Sequence, residues 1–128
     1  MSIKYNVIAR GKPGDPTAPP KYYPSISSSG RLTLRQLSQR IAQISTVSSV
    51  DTLAVLEALL TLIPGELAAG NIIELGDLGS FRLRIQSEGA ATPEEVGAQH
   101  IIKVLPLFTP GKEFKQVLNN ATFSKAAA

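Results

Sequence analysis

The sequence predicts an α+β fold in which two amino-terminal helices precede a β-hairpin sheet with a protruding arm and a short C-terminal helix. Three observations carry this prediction. Leu34, Leu37, Ile41 and Ile44 recur at helical spacing. Residues 53–63, LAVLEALLTLI, form an almost unbroken apolar run, interrupted only by Glu57 and Thr61 and too short to span a bilayer. Residues 71–85, NIIELGDLGSFRLRI, set two β-favouring runs around the turn residues Gly76, Asp77 and Gly79.

Composition narrows the function classes. A length of 128 residues and 43% apolar content suit one folding unit with a real core. The chain has no cysteine, which excludes disulfides, thiol catalysis and thiolate metal sites. Its single histidine, His100, speaks against a His-based metal centre and is read as an ordinary strand residue. No nucleophile, base and orienting group can be named together, and there is no phosphate-binding Gly-rich loop. The expectation is therefore a non-enzyme without cofactor, metal or small-molecule substrate. The first ten residues, MSIKYNVIAR, lack the apolar core and cleavage site of a secretory signal, so a cytoplasmic location is expected.

The net charge of +3 conceals a strong segregation. Residues 1–47 carry seven Lys/Arg against one Asp, residues 48–100 two Arg against eight acids, and residues 101–128 four Lys against one Glu. Basic ends that fold onto one face suit a polyanionic partner.

In chain order, Ile3, Tyr5, Val7 and Ala9 alternate with polar residues and predict a half-buried strand at a sheet edge. Residues 11–24 hold five of the nine prolines and predict an extended connection. Tyr22 and Tyr23, next to Pro24, are read as packing on a core rather than stacking on bases. Residues 25–30 are read as a short strand returning beside the first. Thr33 with Gln36 forms a capping box for a helix from Leu34, its outer face carrying Arg35, Gln39, Arg40 and Gln43. Ser48 or Ser49 caps the second helix and Asp51 favours its amino terminus. Pro64 predicts a kink or short break before Gly70 ends it.

Phe81, Leu83 and Ile85 alternate with Arg82 and Arg84, giving the hairpin one apolar and one cationic face. Residues 87–99, SEGAATPEEVGAQ, are small and acidic and predict the arm. Residues 100–105 predict a further strand closed by Pro106. In FTPGKEFKQVL, residues 108–118, Thr109 caps and Pro110 opens the last helix, leaving Gly111 and Lys112 in an exposed first turn suited to phosphate. The nearly all-round apolar second helix exceeds what one short helix and a small sheet can cover, so a symmetric homodimer is expected.

GDLGSFRLR (residues 76–84) and FTPGKEFK (residues 108–115) resemble the Gly-Phe-Gly-x-Phe hairpin and the Phe-x-Pro-Gly-Lys-x-Leu-Lys signature of the HU and integration host factor family of bacterial histone-like DNA-binding proteins. The similarity covers about residues 32–120. It implies an HU-like domain over residues 32–123, preceded by an extension of one or more strands over residues 1–31 and followed by a tail, 124–128. The chain resembles an extended, Bacteroides-type branch of that family.

The resemblance further implies an intertwined homodimer whose sheets form a saddle over double-stranded DNA in the nucleoid, with two arms reaching into the minor groove. Arg82 and Arg84 would lie on the saddle, Lys112, Lys115 and the Gly111 amide would hold phosphates, and Lys103 is a further candidate. Pro93 stands where the family's base-wedging proline is expected. The arm departs from the family in holding Glu88, Glu94 and Glu95 and no Lys or Arg. These features imply largely non-sequence-specific DNA binding, with bending or DNA condensation. The alternative is a structural or protein-interaction module that retains the HU-like dimer.

Overall fold

The computed structural model describes residues 2–126. Its elements are β1 (Ser2–Arg10), β2 (Lys21–Ser27), α1 (Leu34–Ile44), α2 (Ser49–Ala68), β3 (Ile73–Glu74), β4 (Gly79–Ser87), β5 (Ile101–Pro110), α3 (Lys112–Asn119) and β6 (Thr122–Lys125). They divide into two compact units. One joins the segment through Thr33 with the segment from Val117 onward; the other is Leu34–Gln116.

The first unit holds a three-stranded sheet of order β2-β1-β6. β1 is therefore a central strand, not the edge strand that its alternation suggested. β2 pairs with it antiparallel, from Arg10 opposite Lys21 to Lys4 opposite Ser27. β2 begins at Lys21, earlier than the return strand read from the sequence, and accommodates Pro24 because an edge strand leaves one row of donors unpaired. β6 pairs parallel with β1, from Ser2 opposite Thr122 to Tyr5 opposite Lys125. Ser2 Oγ and Ser124 Oγ lie 2.6 Å apart, and Ala126 N donates to the Tyr5 carbonyl at 2.8 Å. The tail expected from residue 124 is thus a strand through Lys125; residues 127 and 128 lie outside the described residues.

The second unit packs α1 against α2 and carries the sheet β3-β4-β5. The most buried side chains of α1 and the first turn of α2 are small and polar. Ser38, 1% exposed, returns its hydroxyl to the Arg35 carbonyl at 2.6 Å, and the Thr52 hydroxyl donates to the Ser48 carbonyl at 2.8 Å. Neither places an unsatisfied group in the interface. This rotates α1 away from the expected stripe: Leu34 and Ile41 are half-buried while Leu37 and Ile44 face outward.

α2 starts at Ser48, whose Oγ accepts from Asp51 N at 3.1 Å. It continues unbroken through Pro64, contrary to the expected break. The helix ends in paired reverse bonds, Gly70 N to the Leu67 carbonyl at 3.0 Å and Asn71 N to the Glu66 carbonyl at 3.1 Å, for which Gly70 adopts a φ of 92°. Leu53, Leu56, Leu59, Ile63 and Leu67 follow one side of α2, and only Leu67 among the described hydrophobic side chains is fully buried. Val50, Val55, Leu60 and Leu62 on the same helix are exposed. The chain exposes 10578 Å², whereas a folded monomer of 13.6 kDa would expose about 6,600 Å².

The hairpin turn is tied to the start of α3. Residues 76–78 make one 3₁₀ turn, Leu75 N donates to the Gly79 carbonyl at 2.8 Å, and Gly111 N donates to the Leu78 carbonyl at 3.0 Å. Gly79 has a φ of 140°, and a Cβ there would overlap the Thr109 carbonyl oxygen and meet the Phe108 ring. A Cβ on Gly111 would overlap the Asp77 carbonyl oxygen. Both positions need glycine for this approach. Gly79→Ala should accordingly lower stability by about 2–4 kcal/mol, from backbone strain and steric overlap together. Urea denaturation will show this as a lower midpoint, while a Gly30→Ala control, at an exposed position with open space for a Cβ, moves it little.

Candidate nucleic-acid interface

The β4–β5 ladder decides which side chains share a face. Arg82 pairs with Leu107, Arg84 with Leu105 and Gln86 with Lys103. Directly opposed residues in an antiparallel pair project to the same side, so Arg82, Arg84 and Lys103 stand on one face of the sheet. All three are exposed, and none has a carboxylate partner among the described residues. The face is not purely cationic. Leu105 and Leu107 lie between the bases, and Glu74, opposite Ser80, occupies its β3 end. Positive charge therefore concentrates toward the arm.

The other face carries Phe81, Leu83, Ile85, Val104, Pro106 and Phe108. Phe81 and Phe108 are opposed, with ring centroids 5.1 Å apart, and Phe114 of α3 meets Phe108 edge-on at 5.8 Å. This trio seats α3 by its apolar side and leaves Lys112 and Lys115 exposed.

The start of α3 differs from the expected one. Thr109 and Pro110 belong to β5, paired with Ser80 and Gly79, so they neither cap nor open the helix. The Gly111 amide is occupied by the Leu78 carbonyl and cannot grip a phosphate. The helix amides left without an intrahelical acceptor are those of Lys112, Glu113 and Phe114.

The arm closes at its base by the bond from Glu88 N to the His100 carbonyl, 2.8 Å. Beyond that, the chain makes two 3₁₀ turns, Pro93–Glu95 and Ala98–His100. His100 is not a strand residue: its Nδ1 accepts from Gly97 N at 3.1 Å and pins the second turn. Pro93 is exposed in the arm and is followed directly by Glu94 and Glu95. The structure thus brings Arg82, Arg84 and Lys103 onto one face and places Pro93 apart from them along the chain, in the arm. Leu105, Leu107 and Glu74 were not foreseen on the cationic face. That the Lys103 side of β5 is also the arginine side becomes readable only when the β4–β5 register is known.

Phe114→Ala removes one ring of the trio and should cost roughly 2 kcal/mol for a half-buried phenylalanine. Amide hydrogen exchange should then quicken in α3 first, whereas Phe114→Leu should retain most of the protection.

A family model described as HU-HIG, an HU domain fused to a winged helix-turn-helix, immunoglobulin or glycine-rich motif, matches residues 1–125. No curated protein is significantly similar to the chain. Among solved structures, a candidate bacterial DNA-binding protein from Bacteroides vulgatus ATCC 8482 aligns with a TM-score of 0.66 at 12% identity, over 97% of this chain. This chain spans only 48% of that protein's length. The HU of Anabaena, solved in a cocrystal with DNA, aligns with a TM-score of 0.55 at 22% identity, over 70% of this chain and 99% of its own. No helix among the described residues is long and apolar enough to cross a membrane. With the family model covering nearly its whole length, the chain belongs to the HU-HIG family, HU domains that carry an added module.

Proposed function

We propose that this chain is a non-enzymatic, double-stranded-DNA-binding protein that acts as a homodimer and contacts the phosphate backbone largely without sequence readout. The observation that carries the reading is the register that sets Arg82, Arg84 and Lys103 on one face, each exposed and without a carboxylate partner among the described residues. Membership of an HU family and the fold shared with an HU solved on DNA support it. Lys112 and Lys115 extend the contact from α3 as point charges on phosphate. Base recognition is not part of the proposal: Arg82, Arg84, Gln86 and Lys103 have groups that can bond base edges, but the proposal sets them on a broad sheet face as contacts to the phosphate backbone.

The dimer follows from the surface that one copy leaves uncovered. About 4,000 Å² separates the exposed area from that of a compact monomer. The extended arm and the separate amino-terminal unit account for part, and the outward Leu37, Ile44, Val55, Leu60 and Leu62 for another part. A second copy would cover such a surface with the same surface. The proposed dimer would place two cationic faces against one duplex in the bacterial nucleoid.

The acidic arm sets the limits of the mechanism. Glu88, Glu94 and Glu95 meet phosphate repulsion, so Pro93 and the exposed Val96 act on the groove against an opposing field. The same acidic, partly apolar arm favours a second reading, a protein-interaction module on an HU-like dimer. DNA affinity separates the two.

Arg82→Ala with Arg84→Ala should weaken binding on unrelated duplexes alike and reduce the salt slope by about 0.9 for each phosphate no longer neutralised. Unchanged affinity at low salt would favour the protein-interaction reading. Deleting residues 89–96 and closing the hairpin with a glycine turn should cost less affinity than the double arginine change; energy transfer between dye-labelled duplex ends reports any bend that disappears with the arm. Leu60→Glu should abolish the dimer mass in sedimentation of a protein whose wild type sediments as a dimer.

A further inference from the structure

At the loop end of the β1–β2 hairpin lies a cleft of about 370 Å³, lined by Arg10, Lys12, Lys21 and Tyr23 with apolar walls from Ala18 and Pro19. Arg10 and Lys21 are directly opposed across the ladder, a like-charge pair that is unfavourable unless something neutralises it. Neither they nor Lys12 has a carboxylate partner among the described residues. The only acid in residues 1–47, Asp15, does not line the cleft: its Oδ1 accepts from Thr17 N at 3.1 Å and from Thr17 Oγ1 at 2.7 Å. Those bonds hold its carboxyl below the usual carboxylate range and keep it engaged within the loop.

The cleft is also organised. Tyr23 sits diagonal to Arg10 across the strands, and the Arg10 guanidinium lies 5.8 Å from its ring centroid, which steadies an otherwise flexible side chain. The loop holds Asp15 N to the Lys12 carbonyl at 3.1 Å and Ala18 N to the Asp15 carbonyl at 3.3 Å, with prolines at 13, 16, 19 and 20. Ordering it on binding therefore costs little. The tyrosines are not core residues as expected: Tyr22 is 69% exposed and Tyr23 42%.

We propose that this cleft is a second anion site that takes one nucleotide unit of a nucleic-acid strand, its phosphodiester held by Arg10, Lys12 and Lys21. A phosphate alone would leave most of the volume empty, and the proline, alanine and tyrosine walls suit the less polar faces of sugar and base. The site is built from the added amino-terminal unit and does not use the β4–β5 face.

The test is a nuclear magnetic resonance titration of the full chain with single-stranded octathymidylate. Signals of Arg10, Lys12, Lys21 and Tyr23 should shift saturably, and Lys12→Ala with Lys21→Ala should weaken that binding by at least about tenfold. Arg82→Ala with Arg84→Ala should leave these shifts intact, so failure of the β4–β5 interface and failure of the cleft are read independently. Both lysines are exposed, Lys12 in the loop and Lys21 at the last pair of the ladder, and unchanged β1 amide signals verify folding. Absent shifts, or shifts that survive the lysine changes, would overturn the site. Inorganic phosphate producing the same shifts with equal affinity would overturn its assignment to a nucleic-acid strand.

Discussion

The close approach of two glycines is the constraint on which the HU-like unit depends. Gly79 must let the Thr109 carbonyl and the Phe108 ring come within the space of a side chain, and Gly111 must do the same for the Asp77 carbonyl. Only then can β5 run along β4 as far as Pro110 and turn directly into α3. That turn delivers Phe114 to Phe108, and the aromatic trio in turn sets which side of α3 meets solvent. A few backbone contacts thereby orient Lys112 and Lys115.

A second constraint is the shortage of internal apolar cover. The fully buried side chains near the start of the helix pair, Ser38 and Thr52, are small and bury little carbon. Of the larger aliphatic side chains on the two helices only Leu67 is fully buried, and Leu37, Ile44, Val50, Val55, Leu60 and Leu62 are exposed. Hydrophobic stabilisation scales with apolar area removed from water, so the proposed dimer would add to it by covering side chains that one copy leaves exposed.

Electrostatics separates the parts by role. The cationic face grows more positive from Glu74 toward Arg84 and Lys103, and then the arm reverses the sign. In the proposed function this gradient would draw a polyanion to the sheet rather than to the arm. The amino-terminal unit adds basic groups of its own, set on a hairpin whose opposed Arg10 and Lys21 gain from a bound anion.

Much of this was legible in the residues. Period 3.6 located the first helix, an apolar run behind a serine cap the second, glycine and proline punctuation the hairpin and arm, and alternation around Arg82 and Arg84 the hairpin's faces, because each of these signals is local in the chain. Serine capping of α2 and the glycine stop at Gly70 were local in the same way. What tertiary structure decided were the long-range pairings. β6 is four residues of ordinary composition, and only its parallel contact with β1, more than a hundred residues away, makes it a strand and moves β1 from edge to centre. Lys103 joins the arginines because the β4–β5 register sets it opposite Gln86, and a slip of one residue would have sent it to the other face. Pro64 stays inside α2 because burial of Leu67 and the terminal reverse bonds at Gly70 hold the last turn that proline alone would have released. The Gly111 amide, open by its position in the sequence, is closed by the Leu78 carbonyl, since a donor brought beside an acceptor by the fold is satisfied there before any ligand arrives.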